Sequence, residues 1–294
     1  VDEIKTPSGK SAGDENFPVG SWLLPARLRP HVAAFYRFAR GADDIADDPD
    51  LAPEEKITRL DHLASVLGGA KPDDAGTAIA QAMRASLATT GVSPQHCLDL
   101  LDAFRQDAAQ SRYADWNDLM AYCARSADPV GRYLLDLHGE DAAGYAVSDP
   151  LCSALQIINH LQDAQDDYRT LDRVYVPQDW LAAEGLDSAA LGGAVSDARL
   201  RRVLDRCLDG VDVLLGRARP LPLLLRDKRL AYESGAILAL ARDLAAALRA
   251  QDPIAARVAH GRVRFVVHAV AGVLGAMLRR ALPGQRAHRT LAQS

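Results

Sequence analysis

The residues of this chain with the clearest chemistry are carboxylates spaced four apart on helix faces that should be buried. In the stretch Phe35-Tyr36-Arg37-Phe38-Ala39-Arg40-Gly41-Ala42-Asp43-Asp44-Ile45-Ala46-Asp47-Asp48, a rotation of 100° per residue puts Val32, Tyr36, Ala39, Asp43 and Asp47 within a sector of about 80°. Downstream, Cys152, Leu155, Gln156, Asn159, Asp163 and Asp167 share a sector of about 120°. Like charges at i,i+4 repel, and more strongly where the dielectric is low, so two inward-facing acidic stripes call for a cation. Mg²⁺ is the simplest choice, because it takes oxygen ligands and is typically held by one or two carboxylates together with substrate phosphates. Two such clusters at the mouth of an apolar helical bundle suit a substrate with a diphosphate head and a long hydrocarbon tail. An Asp-rich run is ordinarily a helix end or a solvated face. That bland reading fits Asp43 to Asp50 better than it fits Asn159, Asp163 and Asp167, which sit among Leu155, Ile157, Ile158 and Leu161.

Basic side chains that could meet phosphate oxygens flank both clusters: Arg37 and Arg40 before the first, Arg169 and Arg173 after the second. Arg40 is favoured because it lies three residues from Asp43 on nearly the same face. Phe35, Tyr36 and Phe38 read as core aromatics at helical spacing, with a second reading as ring faces offered to a carbocation.

Helices must position all of these groups. Strand patterns are nearly absent, and helical periodicity predicts elements over Pro30 to Asp47, Pro53 to Leu67, Gly76 to Thr89, Pro94 to Ser111, Trp116 to Leu137 with a kink at Pro129, Pro150 to Tyr168, Ala198 to Leu215, Leu221 to Arg249 and Arg262 to Leu282. Ser93 before Pro94 and Asp149 before Pro150 read as helix starts. The expected fold is all-α. The 294 residues would allow two domains, but no linker or repeat divides them, so a single helical domain is expected over 1–294, with 1–15 and 283–294 flexible. A hydrophobic content of 48% with 25% charged residues excludes a disordered or collagen-like chain.

The formal charge of −5 gives no reason to expect nucleic acid as a partner, but it is unevenly distributed. Residues 1–252 hold 27 basic against 39 acidic groups, −12, whereas 253–294 hold seven Arg and no acid. The run Phe265 to Leu278 is too short for a membrane span, which needs about 20 apolar residues. The polar N-terminus shows no secretory pattern, and the four scattered cysteines show no CxxC, which reads as reduced cytosolic thiols. No GxGxxG stands between a strand and a helix, so no dinucleotide site is expected from that motif.

Taken together, Tyr36-x-x-x-Arg40-x-x-Asp43-Asp44-x-x-Asp47, Tyr122-Cys123 with Pro129-Val130-Gly131, Asn159-x-x-x-Asp163-x-x-Asp166-Asp167 and Arg173-Val174-Tyr175-x-Pro177 resemble the squalene and phytoene synthase family. The resemblance runs from Asn16-Phe17-Pro18 to about Pro253. It implies one large bundle of the isoprenoid (terpenoid) synthase type around a central apolar cavity. It implies that Asp43, Asp47, Asn159, Asp163 and Asp167 coordinate Mg²⁺, that Arg40 and Tyr36 contact diphosphate, with Arg173 also in the substrate site, and that Tyr122 is a polar group near the reacting carbons.

Two departures point to a branch. Where most of the family reads Asn-x-x-Arg-Asp, this chain reads Asn159-His160-Leu161-Gln162-Asp163, so a neutral Gln162 replaces an arginine that faces diphosphate. The Val-Ala-Gly-x-Val-Gly stretch becomes Ser126-Ala127-Asp128-Pro129-Val130-Gly131. Both resemble the bacterial hydroxysqualene synthases of hopanoid and squalene biosynthesis. That branch implies presqualene diphosphate as substrate, water capture of the cation, carbon–oxygen lyase chemistry, and no need for NADPH. Tyr122, Gln162 and His160 are the groups considered for holding the water, with His160 read instead as a core or surface histidine. The alternatives are a synthase joining two prenyl diphosphates head to head to squalene, presqualene diphosphate or phytoene, or a non-catalytic prenyl-diphosphate binder. A carboxylate-bridged di-iron bundle is disfavoured, because no Glu-x-x-His stands on a helical pattern. For the basic C-terminal segment the preferred reading is a final core helix. The other is peripheral attachment of a cytoplasmic protein to the inner face of the cell membrane, with handover of the product to a reductase of the same pathway.

Overall fold

The computed structural model describes residues 23–70 and 77–282. The motif Asn16-Phe17-Pro18 and the ends expected to be flexible, 1–15 and 283–294, lie outside the described residues. Among the described residues, thirteen α-helices follow one another: α1 (Arg29–Asp47), α2 (Pro53–Leu67), α3 (Ala78–Thr90), α4 (Gln95–Ala109), α5 (Trp116–Ser126), α6 (Asp128–Leu137), α7 (Tyr145–Gln162), the single turn α8 (Ala164–Asp166), α9 (Gln178–Ala183), α10 (Ala198–Ala218), the turn α11 (Leu221–Leu224), α12 (Lys228–Ala250) and α13 (Arg262–Ala281). Among the described residues, extended pairing is limited to one isolated parallel bridge between Arg112 and Val174. One continuous apolar core, including Phe38, Leu101, Ile157, Leu204 and Leu244, joins the helices.

Local chemistry explains most boundaries. Pro30 and Pro53 stand in the first turns of α1 and α2, where a missing N–H costs nothing. Asp197 caps α10 through the N–H groups of Arg199 and Leu200, and Asp227 caps α12 through those of Arg229 and Leu230. The predicted start at Ser93 is present as a hydrogen bond from the Gln95 N–H to Ser93 Oγ at 3.2 Å.

Four expectations are corrected here, the first being the single helix expected over Leu221 to Arg249, which is the turn α11 and the helix α12, separated by extended backbone at Leu225 (φ −62°, ψ 137°). The helix expected over Trp116 to Leu137 is two helices, broken at Ala127 (φ −121°, ψ −49°) rather than kinked at Pro129. A proline ring clashes with the carbonyl four residues back, so Pro129 is accommodated in the first turn of a new helix. The helix expected to begin at Pro150 begins at Tyr145, with Pro150 inside it. Its start is set by Asp141, whose carboxylate accepts the Ala143 N–H at 2.8 Å in a 3₁₀ turn leading into α7, while Asp149 pairs with Arg132 at 2.7 Å instead of capping. Finally, α13 is not a core helix: it packs on α12, yet only Gly272 and Ala276 of its residues are buried.

Candidate functional site

The first acidic stripe lies where α1 turns from core to cleft. Ala34, Phe35, Phe38, Ala42 and Ala46 are buried, and the adjacent face carries Tyr36, Arg40, Asp43 and Asp47 to the rim of a cleft of about 300 Å³. Arg40 reaches both acids of its turn, with Nη1 2.9 Å from Asp43 and Nε 3.2 Å from Asp44. Burial and the neighbouring Asp47 push the Asp43 carboxyl up to about 8 against the pull of Arg40.

The second stripe comes from the end of α7. The helix breaks at Asp163 itself (φ −102°, ψ 5°), continues as α8, and closes in a π-turn over Asp167–Leu171. The Asp167 N–H still donates to the Asp163 carbonyl at 2.8 Å, so both carboxylates stay on the cleft side although the helix does not run straight through to Tyr168 as expected. π-turns of this kind are frequent at functional sites. Burial, followed by the charges of Asp163 and Asp47, pushes Asp167 up to about 7. Asp172, in the left-handed region at φ 50°, then reverses the chain. The Val174 N–H donates to the Ser111 carbonyl at 2.9 Å, and Arg112 holds Asp172 at 2.5 Å. This clasp places the buried Arg173 across the cleft, where it pairs with Asp47 and donates to the Ala46 carbonyl at 2.8 Å.

The predicted groups Tyr36, Arg40, Asp43, Asp47, Tyr122, Asn159, Asp163, Asp167 and Arg173 thus line one cleft. Gln162 does not. About 100° away from Asp163 on the helix wheel, its buried side chain donates to the Val258 carbonyl, which ties α7 to the segment after α12. Arg37 is exposed and outside the cleft, and Arg169 donates outward to the Gly192 carbonyl at 2.8 Å.

Sequence reasoning missed a buried polar cluster on the cleft floor. Asp107 accepts hydrogen bonds from Tyr122 at 2.7 Å and Tyr175 at 3.1 Å, and burial pushes it up to about 6. His160 lines the cleft as well, stacked on Tyr175 with ring centroids 3.5 Å apart, and burial, then Arg173, holds it near 3 and therefore neutral. Within α4, Asp107 follows the apolar Leu100, Ala103 and Phe104 at helical spacing, which was the available signal. Arg257 also went unnoticed; its Nε lies 2.8 Å from Asp163.

Oxygen donors dominate the two stripes, and among the described residues no group of three or more His, Cys, Asp or Glu side chains is gathered around a single point. Asp43, Asp47, Asn159, Asp163 and Asp167 offer oxygen donors, the donor type Mg²⁺ takes, so the residues present fit that ion in their chemistry. Arg40 on Asp43, Arg173 on Asp47 and Arg257 on Asp163 meet the same demand for positive charge.

A second, apolar cavity of about 330 Å³ continues from the cleft, with Tyr36, Ala39, Ser126, Gln156 and Asn159 lining both. Phe35, Leu134, Leu151, Leu155, Leu221 and Ile237 form much of its wall. Phe35 stacks on Tyr133 at 4.0 Å, and Phe38 is wholly core. One carboxyl interrupts this wall: Glu233 is 5% exposed, its Oε2 has no hydrogen-bond partner among the described residues, and burial pushes it up to about 8. A charged, oxygen-rich mouth opening into a hydrocarbon-lined channel is complementary to a prenyl diphosphate.

Comparison with known proteins agrees with this geometry. The chain is 41% identical to a hydroxysqualene synthase of Sinorhizobium fredii, covering 91% of each chain, and 42% identical to one of Rhodopseudomonas palustris, covering 93% of this chain and 92% of that one. Among solved structures it resembles a squalene synthase from Alicyclobacillus acidocaldarius, with 32% identity, a TM-score of 0.68, and coverage of 79% of this chain and 87% of the other. A dehydrosqualene synthase at 22% identity shares the fold, with a TM-score of 0.76 over 90% of this chain and 92% of that one. The sequence pattern of squalene/phytoene synthases matches residues 10–266, and the chain belongs to that family of prenyl-diphosphate-processing enzymes.

Proposed function

We propose that the protein ionises presqualene diphosphate and lets water capture the rearranged carbocation, giving hydroxysqualene, as a carbon–oxygen lyase of squalene and hopanoid biosynthesis. The observation that carries this reading is the junction at Tyr36, Ala39, Ser126, Gln156 and Asn159, where an acidic, arginine-flanked cleft becomes a hydrocarbon channel. Asp43, Asp47, Asn159, Asp163 and Asp167 are the residues that would hold Mg²⁺, which when bound supplies Lewis-acid neutralisation of the leaving diphosphate. Arg40 and Arg173 rest on carboxylates now, and are within the same cleft to follow the diphosphate oxygens.

The C–O bond breaks heterolytically, and its electron pair leaves with the diphosphate. The cation rearranges among aliphatic walls that exclude bulk water. A water oxygen then donates a lone pair to carbon, and the resulting oxonium loses a proton to form the alcohol. Tyr122 spends its hydroxyl proton on Asp107, so it presents oxygen lone pairs and a ring face rather than a donor. Gln162 is engaged with Val258, which leaves Tyr122 as the water-holding candidate among the three considered at the start together with His160, whose neutral ring stands 6.0 Å away. No reductant enters this scheme. The reading includes a cytoplasmic enzyme at the inner face of the membrane, handing its alcohol to a reductase.

The test is product analysis of presqualene diphosphate turnover with Mg²⁺ in ¹⁸O-water, with and without NADPH. The expected product in both cases is hydroxysqualene carrying one ¹⁸O. Squalene formed only with NADPH refutes water capture, and efficient conversion of farnesyl diphosphate alone favours a head-to-head synthase instead.

A further inference from the structure

Among the described residues, twelve large hydrophobic side chains are exposed, and seven of them lie on α13. At 100° per residue, Val263, Val266, Val267, Val270, Leu274 and Leu278 fall on an arc of about 120°. Their exposures run from 51% at Val270 to 78% at Val263, so the apolar stripe of this helix faces outward. On the inward face the buried residues are the small Gly272 and Ala276, beside the half-buried Phe265. A Cβ on Gly235 of α12 would stand 2.8 Å from both the Ala276 Cβ and the Gly272 carbonyl oxygen, so the two backbones touch there and the large side chains are turned away from the core.

The rims of the stripe are basic. By the same rotation Arg262 and Arg280 stand about 40° beyond one edge and Arg264 about 40° beyond the other, where Arg264 is paired with Asp243 of α12 at 2.6 Å. Asp243 of α12, its side chain 8% exposed, lies beneath Arg264 and His260 at this rim, and the 42 residues after Asp252 carry seven Arg and no acid. Among the described residues, no helix is long and apolar enough to cross a membrane. An outward apolar stripe with arginine rims and no span is the pattern of a helix lying in a bilayer interface.

We propose that the outer face of α13 is a docking surface for an anionic lipid bilayer. The position of the helix gives the contact a use. Arg280 Nη1 donates to the carbonyls of Pro222 at 2.6 Å and Leu225 at 2.8 Å, and Leu221 and Leu225 line the apolar channel. Gly235, where α13 touches α12, is one residue from Ser234 of the same channel wall. Docking therefore sets the hydrocarbon channel beside the lipid phase, which suits an oily substrate or product whichever nucleophile meets the cation.

The full chain is to be tested by flotation with vesicles of phosphatidylglycerol and phosphatidylcholine (3:1) and of phosphatidylcholine alone, at low and high salt. The wild type is expected to float with the anionic vesicles at least tenfold more than with the neutral ones, less so at high salt. The double variant V267D/L274D is expected to lose at least tenfold of that binding. The exposed control V213D on α10 is expected to bind as the wild type does. Turnover of detergent-dispersed presqualene diphosphate is expected to be unchanged in V267D/L274D, and circular dichroism reports its folding. A folded wild type that does not float with anionic vesicles, or a V267D/L274D variant that floats equally well, overturns the proposal. So does a concentration-dependent dimer that V267D/L274D converts to monomer while the wild type ignores lipid, because the face is then a self-association surface. Inactivity of the wild type on presqualene diphosphate with flotation intact refutes the catalytic reading and leaves the docking surface standing.

Discussion

Replacing Glu233 by Gln is expected to stabilise the protein in alkaline solution and to change little in acid. Glu233 lies in the wall of the hydrocarbon channel, 5% exposed, and burial pushes its carboxyl from 4.5 to about 8. The native state therefore holds a proton that the unfolded chain gives up above pH 4.5, and native stability falls as pH rises from there to about 8, then levels off. At about 1.36 kcal/mol per pH interval, the full cost is on the order of 5 kcal/mol. Gln cannot ionise, so the variant escapes that cost while keeping the shape of the protonated acid. Unfolding entropy of about 2 cal/mol/K per residue makes the difference in melting temperature about 8 °C at pH 9 and close to zero at pH 4.5. Thermal melts of the two proteins followed by circular dichroism at pH 4.5, 6, 7.5 and 9 give the comparison directly. A difference that stays flat across that range, within about 2 °C, would refute the reasoning, because it means that the carboxyl is hydrated or paired inside the channel.

Asp163→Asn is expected to lower presqualene diphosphate turnover at least a thousandfold with unchanged circular dichroism, since it removes one carboxylate from the second stripe; near-wild-type turnover counts against the diphosphate site. Tyr122→Phe leaves the buried Asp107 with one partner in place of two and is expected to destabilise the fold by about 1–3 kcal/mol, read as a lower midpoint in guanidinium denaturation. Gln162→Leu strips the Val258 carbonyl of the amide that now reaches it and is expected to cost about 1–3 kcal/mol of stability without altering the ratio of alcohol to hydrocarbon among the products. A changed product ratio in that variant returns Gln162 to the reaction.

What the sequence determined by itself is what depends on local periodicity. The all-α class, the faces of α1 and α7 that carry Asp43, Asp47, Asn159 and Asp163, and the helix starts at Pro30, Pro53 and Ser93 all follow from interactions within a few residues of one another, and are legible there. The same local signals fail where a distant contact outweighs them. Asp149-Pro150 reads as a helix start, but an arginine 17 residues earlier claims the aspartate and an upstream turn opens the helix. Gln162 stands in a diphosphate-facing position of the family pattern, yet a carbonyl 96 residues away takes its amide. The spacing of Asp107 on α4 marks its helix face, but its meeting with His160 and Tyr175 in the cleft, and the pairing of Arg257 with Asp163, come only from the convergence of α4, α7 and two connecting segments. The apolar run of α13 reads as core by composition. Tertiary structure decided otherwise, because the small residues Gly272 and Ala276 give the closest approach to α12 and leave the large ones facing out.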